Sequence, residues 1–339
     1  MSPTPHEIFK LGDFALDCGT TLPDAHIAYA TYGTPNAARD NVVVFPSWYL
    51  GSHADIEWFI GGPDKPIDST KYFVIAPSMF ANGLSSSPSN TPAPYDHGRF
   101  PAISIQDNVR AQHRLVTERF SVSRIQLVIG GSMGAFQAYQ WALAHPDLVL
   151  RMAAMCGSAR CTPHCYVFLA GAKAALLADP AYAGGDYTQQ PAAGMKAMAR
   201  VWAGWALSQT FYREHLYRRM GHDTVDGFLI NFWEAFWLNC DANDLLNQLE
   251  TWQSADISRT PGYGGDLGKA LGAIRAKAVL CPGESDLYFP PADMRSEAAQ
   301  MRDSELSEIP GPWGHFSEVG IDPDCNQYLT RAIQSLLAR

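Results

Sequence analysis

The sequence predicts an α/β protein with a mostly parallel central sheet, flanking helices, and a large helical segment inserted before the last strands. Short continuous apolar runs alternate with helical patterns in the first half of the chain. Such runs are typical of strands that are buried on both faces. Strand-like runs are then absent between residues 157 and 271 and return at 277–282. Strands alternating with helices around this gap indicate one α/β domain with an insertion.

The apolar runs of the first half predict strands at residues 42–45, 72–75 and 125–130. Between the last two, Ser104 is placed to cap the N-terminus of a helix that continues to about Phe120. A stretch rich in Ser, Pro and Asn, residues 82–101, predicts a long loop.

The second half of the chain predicts a helical block followed by the remaining strands of the sheet. Helical patterns and many Trp, Tyr and Phe residues fill the segment 157–271. Further strands are predicted at 277–282 and 305–309, and a final helix at 323–337. The sequence therefore predicts an α/β core made of 1–156 and 272–339, with a helical lid domain at 157–271.

Composition excludes several classes of protein. The 339 residues are 47% apolar and 17% charged, which is typical of a folded domain and not of a disordered chain. The net charge is −9, and Lys and Arg form no cluster, so we expect binding to neither nucleic acid nor an anionic membrane. Residues 1–19 lack a signal-peptide pattern, and no apolar run reaches the ~18 residues of a membrane span. A cytoplasmic location is expected.

The seven cysteines raise the question of disulfides or a metal. They contain no Cys-x-x-Cys pair, and their number is odd. Cys156, Cys161, His164 and Cys165 cluster in the sequence, but their spacing matches no common zinc pattern. We expect reduced thiols, no metal and no cofactor.

A candidate nucleophile follows the predicted strand at 125–130. The segment Gly130-Gly131-Ser132-Met133-Gly134 has the pattern Gly-x-Ser-x-Gly, and a helical pattern comes directly after it. In this strand–turn–helix context the tight turn needs the two glycines, and it exposes the serine oxygen at the end of the sheet. Ser132 is therefore predicted to be a nucleophile.

A serine nucleophile needs a base and an acid that orients the base. In this arrangement the chain order is Ser, then Asp or Glu, then His. Asp286 lies in the turn after strand 277–282, with Glu284 as a rival, and His315 is the one histidine beyond Asp286. His53 precedes the serine, so it does not fit the order. The predicted triad is Ser132, Asp286 and His315.

An oxyanion hole requires two backbone N–H groups. One is expected from Met133, directly after the nucleophile, and the other from the loop after strand 42–45. Pro46 has no N–H to donate. Trp48 is the predicted second donor, with Tyr49 behind it.

Several segments of the chain resemble the homoserine O-acetyltransferase family of the α/β-hydrolase fold. The resemblance implies an acyl-serine intermediate, a helical lid, and a homodimer formed through lid helices. The segments that carry it are Pro66–Ile75, Phe100–Gln112, Gly130–Gly134, and the stretch from Asp241 to Asp256.

The chain departs from this family at the positions that hold homoserine. In the family, an Arg and a Tyr on a lid helix and an Asp after the catalytic His bind the carboxylate and amine. An ungapped match places Arg200, Leu207 and Phe316 at these positions. A desolvated ammonium needs a charged partner, which Phe316 cannot supply. Tyr49, Arg200, Leu207 and Phe316 are the candidate substrate-binding residues.

These substitutions predict a serine carboxylic ester hydrolase for short-acyl esters, such as acetates, of small apolar alcohols. The resemblance includes an esterase branch that acts on small alkyl acetates. The alternative is an acyl-CoA-dependent O-acetyltransferase with another acceptor alcohol. Such an enzyme needs a basic channel for the CoA phosphates, and the separated Arg213, Arg218 and Arg219 are its candidates. A catalytically silent scaffold protein is a third possibility, which the complete triad argues against.

Overall fold

The computed structural model describes residues 4–339, so residues 1–3 of the predicted core lie outside the described residues. Eight strands form one sheet in the order β1-β2-β6-β3-β7-β8-β9-β10, and β4 pairs with β5 separately. The strands are β1 Glu7–Ala15, β2 Thr21–Tyr32, β3 Val42–Val44, β4 Ile60–Gly61, β5 Ile67–Asp68, β6 Phe73–Pro77, β7 Ile125–Gly131, β8 Arg151–Met155, β9 Lys277–Cys281 and β10 Ser304–Leu306.

The sheet is parallel from β6 to β10 and antiparallel where β1 pairs with β2 and β2 with β6. The central strands β3, β6 and β7 are almost completely buried, as continuous apolar runs predict. The edge strand β1 has mostly exposed residues, and no continuous apolar run marks it in the sequence. The expected mostly parallel sheet is confirmed, and the β1–β2 hairpin is an addition to it.

Helices cover both faces of the sheet and fill the insertion. Along the described residues they are α1 Ile105–Arg114, α2 Met133–Ala144, α3 Pro163–Leu177, α4 Ala192–Ala206, α5 Gln209–Arg213, α6 Val225–Phe228, α7 Ala235–Leu238, α8 Ala242–Ser254, α9 Leu267–Ala273, α10 Pro291–Ala298 and α11 Pro323–Ala338.

Helix α1 begins as its sequence predicts. The Ser104 side chain accepts from the Asp107 N–H, and the Asp107 carboxylate accepts from the Ser104 N–H, which together form a capping box. A π-helical turn, Leu115–Arg119, extends α1 close to the expected end at Phe120.

Between β8 and β9, the described chain forms helices α3 to α9 and no strand. We call residues 157–271 the helical insertion. The predicted boundary at residue 271 falls inside α9, which contacts α2 and the short turn Ile257–Arg259. The domain division itself stays a prediction.

Alternate residues of the central strands contact two different apolar clusters, because successive side chains of a strand point to opposite faces. Val43, Leu127 and Ile129 belong to one cluster, which also contains Trp202 and Trp252 of the insertion. Much of the insertion therefore packs as a continuation of the core on one side of the sheet, while α9 packs in the cluster on the other side. None of the helices within residues 4–339 is both long and apolar enough to cross a membrane.

Candidate active site

Ser132 lies in the tight turn between β7 and α2. Its backbone has φ +52° and ψ −123°, outside the favoured regions for a residue with a side chain. A Cβ on Gly130 would lie 2.0 Å from the Gly134 carbonyl oxygen, so no larger residue fits this turn. A Cβ on Gly134 would lie 3.0 Å from the Pro46 carbonyl oxygen, so lack of space favours glycine at both positions. The strained serine lies where β7 ends.

His315 and Asp286 complete a hydrogen-bonded chain with Ser132. The His315 Nε2 atom is 3.0 Å from the Ser132 Oγ, and Nδ1 is 2.9 Å from Asp286 Oδ2. All three side chains are buried. The second Asp286 oxygen accepts from the N–H groups of Tyr288 and Phe289 at 2.8 and 3.2 Å, which fixes the carboxylate in place. The residues chosen from the sequence are brought together within hydrogen-bonding distance.

Glu284, the rival acid, points to a different partner. Its Oε2 accepts from the Gly311 N–H at 2.8 Å and so ties the turn after β9 to the loop that precedes His315. Ser285 strengthens this connection, since its hydroxyl donates to the Gly311 carbonyl and accepts from the Gly314 N–H. Gly314 has φ +59°, and a Cβ there would lie 2.7 Å from the Ala206 carbonyl oxygen. The loop that carries Asp286 and the loop that carries His315 are therefore joined by hydrogen bonds beside these two residues.

The predicted oxyanion hole lies between α2 and the loop after β3. Met133 is the first residue of α2, so its N–H has no acceptor within the helix. Trp48 lines the cavity above Ser132, and within residues 4–339 its N–H donates to no acceptor. Gln137 Nε2 donates to the Ser47 carbonyl at 2.9 Å, and Gln248 Oε1 accepts from the Leu50 N–H at 2.6 Å. These two glutamines hold the loop from the core and from the insertion.

A cavity of about 300 Å³ opens onto Ser132 and His315. This volume is at the lower end of the range for ligand sites, so the cavity suits a small molecule. No Lys or Arg lines it in the described part of the chain, and its acidic and histidine lining residues are Asp55, Glu318 and His315. The aromatic walls are formed by Trp48, Tyr49, Trp202, Phe232, Trp233, Phe236, Trp237, Trp252, Tyr288 and Phe316.

Two of the four predicted substrate-binding residues line this cavity. Phe316 lies at the wall, with its ring centroid 5.6 Å from that of Trp233. Tyr49 stacks on Trp202 at 4.8 Å, and its hydroxyl donates to the Leu245 carbonyl, so the ring is the part that faces the cavity.

The other two residues do not line the cavity. Arg200 Nε donates to Glu234 Oε1 at 2.6 Å, and both residues belong to the insertion. Leu207 is buried against the backbone of Gly314. The geometry gives their assignment to substrate binding no support, and it stays a prediction. The ungapped match could not show that Arg200 has an acidic partner 34 residues along the chain.

Several residues that line the cavity have no role predicted by a sequence pattern. Trp202, Trp233, Trp237 and Trp252 form much of its wall. The density of aromatic residues in the insertion signalled an apolar surface without showing which rings face Ser132. Glu318 also lines the cavity, and its position three residues after His315 was the one available signal.

Cys156, Asp286 and His315 form the one group within residues 4–339 whose ligand atoms lie close enough for a metal, within 4.8 Å of one another. Two members of this group already bond each other in the triad. Burial raises the pKa of the Cys156 thiol well above its ordinary value, with the nearby carboxyl groups of Glu318 and Asp286 adding to the effect. A neutral thiol is a poor metal ligand. The group is therefore explained by the predicted triad pair Asp286 and His315, with the Cys156 thiol beside it.

The chain matches known proteins over nearly its whole length. A family model described as "alpha/beta hydrolase fold" matches residues 40–318. A probable esterase of Corynebacterium glutamicum is 37% identical over 337 residues, which cover 98% of this chain and 95% of the relative. The ethyl acetate hydrolase of Pseudomonas veronii is 35% identical over 336 residues, with 98% and 96% covered.

A solved structure and a more distant relative extend this comparison. The acetyl esterase MekB superposes with a TM-score of 0.96 at 35% identity, covering 99% of this chain and 97% of that chain. A homoserine O-acetyltransferase of Trichormus variabilis is 29% identical over 315 residues, covering 89% of this chain and 86% of the relative. The resemblance found in the sequence is confirmed, and the chain belongs to the alpha/beta hydrolase fold family, among esterases and homoserine O-acetyltransferases.

Proposed function

We propose that this protein is a serine carboxylic ester hydrolase that cleaves acetate esters of small apolar alcohols. The observation that carries the proposal is the hydrogen-bonded chain Ser132–His315–Asp286, which opens onto a small aromatic cavity that no Lys or Arg of the described residues lines. Relatives of similar length at 35–37% identity, named as an esterase and an ethyl acetate hydrolase, support the same reaction.

In the acylation step, the Ser132 hydroxyl attacks the ester carbonyl while His315 Nε2 takes its proton. Asp286 accepts from the Nδ1–H of His315, which holds the ring in the required tautomer and stabilises the imidazolium. The N–H groups of Met133 and Trp48 would stabilise the developing oxyanion. The alcohol then leaves with the proton from Nε2, and Ser132 carries the acetyl group.

In the deacylation step, a water molecule replaces the alcohol and gives a proton to His315 Nε2 as its oxygen attacks the acetyl carbon. The bond to Ser132 Oγ breaks, and Oγ recovers the proton from Nε2. Acetate leaves the cavity. The same residues perform both steps, so the chemistry needs no cofactor.

The cavity walls support a small apolar alcohol as the leaving group. Phe316 contacts Phe232 and Trp233, so the position after the catalytic histidine belongs to an aromatic cluster. The carboxylate of a charged amino acid such as homoserine would lose its hydration there, and no Lys or Arg of the described cavity lining could pair with it.

The alternative, acetyl transfer from acetyl-CoA, requires a basic path for the CoA phosphates. Arg219 packs on the Trp313 ring and pairs with Asp322, and neither Arg213 nor Arg218 lines the cavity. The homoserine O-acetyltransferases are also the more distant relatives. The hydrolase is therefore the better supported function.

The experiment is to measure acid release from ethyl acetate by purified protein, with and without acetyl-CoA and homoserine. Acetate release that needs no acceptor, and that Ser132→Ala abolishes, is the expected result. Release of CoA from acetyl-CoA only when an acceptor alcohol is present, with negligible ester hydrolysis, would contradict the proposal.

We also propose a homodimer through the insertion helices and a cytoplasmic location. Six of the eight large apolar side chains that are exposed among the described residues belong to the insertion, and Val167 is 66% exposed. For the location, all seven cysteines are free thiols, which supports a reducing compartment.

For the dimer, light scattering should give the mass of two chains, and Val167→Asp should reduce it to the mass of one chain. A monomeric wild type would contradict the dimer.

A further inference from the structure

Glu318 is a second buried carboxyl group beside the catalytic histidine. It ends the short turn Gly314–Glu318 that carries His315, and its side chain is 1% exposed. Its Oε1 lies 3.6 Å from His315 Nε2, the ring nitrogen that also faces Ser132 Oγ. Asp286 holds the opposite nitrogen, so the imidazole lies between two carboxyl groups with different positions.

Gly131, the residue before the nucleophile, makes room for Glu318. A Cβ at this position would lie 2.1 Å from Glu318 Oε2. The second residue of the Gly-x-Ser-x-Gly motif therefore has to be glycine in this chain while the carboxyl group stays where it is. The Glu318 carboxyl group therefore packs directly against the turn that carries Ser132.

The hydrogen bonding of Glu318 differs from that of Glu297, another buried glutamate. The Glu297 oxygens accept from the hydroxyls of Tyr139 and Ser158 and from the Ala159 N–H. Glu318 makes no such bonds, and within residues 4–339 its buried Oε2 has no partner. Buried polar groups that only support the fold are normally satisfied, so the free carboxyl at the cavity points to a ligand there.

The surroundings of Glu318 favour the neutral form of its carboxyl group. Burial raises its pKa well above the ordinary value, and the charge of Asp286 raises it further. The other ionisable groups that face it are His315 and the thiols of Cys156 and Cys281. None of them is a permanent cation, so a protonated Glu318 offers a carbonyl oxygen toward Nε2.

We propose that Glu318 is a positioning residue that orients the water molecule of the deacylation step, an inference that rests on the proposed hydrolase function. The 3.6 Å between Oε1 and Nε2 is too long for a direct hydrogen bond, and a single water can contact both atoms. That water donates one hydrogen to Nε2 and the other to Glu318 Oε1. Its free lone pair then faces the acetyl carbon on Ser132.

In this step, the bond from water oxygen to acetyl carbon forms and the Ser132 Oγ–carbon bond breaks. Nε2 receives the first water proton and passes it to Oγ, and Glu318 stays protonated throughout. An alcohol has a single O–H hydrogen, which it gives to Nε2, so it gains nothing from Glu318. The residue therefore favours water over an alcohol as the acceptor of the acetyl group.

The experiment compares wild type, Glu318→Gln and Glu318→Leu with p-nitrophenyl acetate in a fixed concentration of methanol. The ratio of methyl acetate to acetate measures transfer against hydrolysis. We expect Glu318→Leu to raise this ratio about tenfold, because water loses its second hydrogen-bond partner. Glu318→Gln keeps a carbonyl oxygen and should stay close to wild type. Glu297→Gln is the matched control, which removes a buried carboxyl outside the cavity and should leave the ratio unchanged.

Stopped-flow release of p-nitrophenol and mass spectrometry of the acetylated enzyme separate the two steps. Glu318→Leu should acetylate at a rate close to wild type and accumulate acetyl-enzyme in the steady state. An unchanged transfer ratio, or equal loss of both steps at an unchanged ratio, would overturn the role of Glu318. A wild type that never becomes acetylated would overturn the proposed function instead.

Discussion

The carboxyl edge of the sheet and the helical insertion contribute to one cavity by different means. At the sheet edge, backbone geometry and hydrogen bonds hold the predicted catalytic side chains, as shown by the strained turn at Ser132 and the two N–H bonds to Asp286. In the insertion, ring packing forms the wall, and the indole N–H groups have no acceptor in the described chain at Trp202, Trp233, Trp237 and Trp252. We therefore expect the chemistry to depend on a few precisely placed atoms, and the choice of substrate to depend on a surface that many rings share.

Helix α8 makes several of the polar contacts that connect the two regions. Gln248 of α8 bonds the loop that carries Trp48, and the Tyr49 hydroxyl bonds the Leu245 carbonyl. Asp244 of the same helix bonds both the N–H and the hydroxyl of Ser89. Helix α8 thus aligns the insertion with the catalytic edge. Substitutions at the edge, in the insertion and at the contact between them can therefore be tested separately.

The largest effect is expected at the catalytic edge. Ser132→Ala removes the nucleophile and should lower kcat for ethyl acetate by about 10⁴-fold or more. Thermal unfolding should change little, since no packing is lost. Activity near that of wild type would show that Ser132 is not the nucleophile. It would also contradict the assignment of the chemistry to the sheet edge.

A smaller effect is expected where the catalytic edge meets the aromatic wall. Phe316→Asp places a carboxyl group among Phe232 and Trp233, and we expect it to raise the KM for ethyl acetate about tenfold. Phe236→Asp is the matched control, because that side chain lines the cavity but is 48% exposed. Equal effects of the two variants would show that charge at the cavity, and not the position after His315, decides binding.

The contact between the regions should depend on pH. Burial raises the pKa of Asp244 to about 7, with Asp241 adding to the shift, while the unfolded carboxyl titrates near 3.8. The folded state therefore binds this proton more tightly, and its contribution to stability is lost as the pH rises through about 7. Asp244→Asn cannot ionise, so its Tm relative to wild type should rise by a few degrees between pH 5 and pH 8. A Tm difference that stays constant between pH 5 and pH 8 would show that Asp244 does not titrate in this range.

The smallest effect on catalysis is expected within the insertion, away from the cavity. Arg200→Leu breaks the ion pair with Glu234, and we expect it to lower Tm while leaving the KM for ethyl acetate within about twofold. A large rise in KM with unchanged stability would restore Arg200 to the substrate site, as the family resemblance implies.

The sequence was sufficient where a local pattern has one structural solution. The nucleophile turn needs Gly130 and Gly134, Ser104 caps α1 with Asp107, and continuous apolar runs became buried strands. The β1–β2 hairpin escaped prediction, because its edge strand β1 is mostly exposed and has no continuous apolar run. The turn, the helix cap and the buried strands depend on hydrogen bonds, space and burial that the local sequence determines, so the sequence predicts them.

The amino-acid sequence by itself determined the fold class, the turn at Ser132 and the chain order of the predicted catalytic residues. Only the tertiary structure decided which of Glu284 and Asp286 faces His315, which aromatic rings surround Ser132, and that Arg200 pairs with Glu234. It also placed Glu318 beside Gly131. The physical reason is that these contacts join groups far apart in sequence, and their partners depend on how loops and the insertion pack across the edge of the sheet.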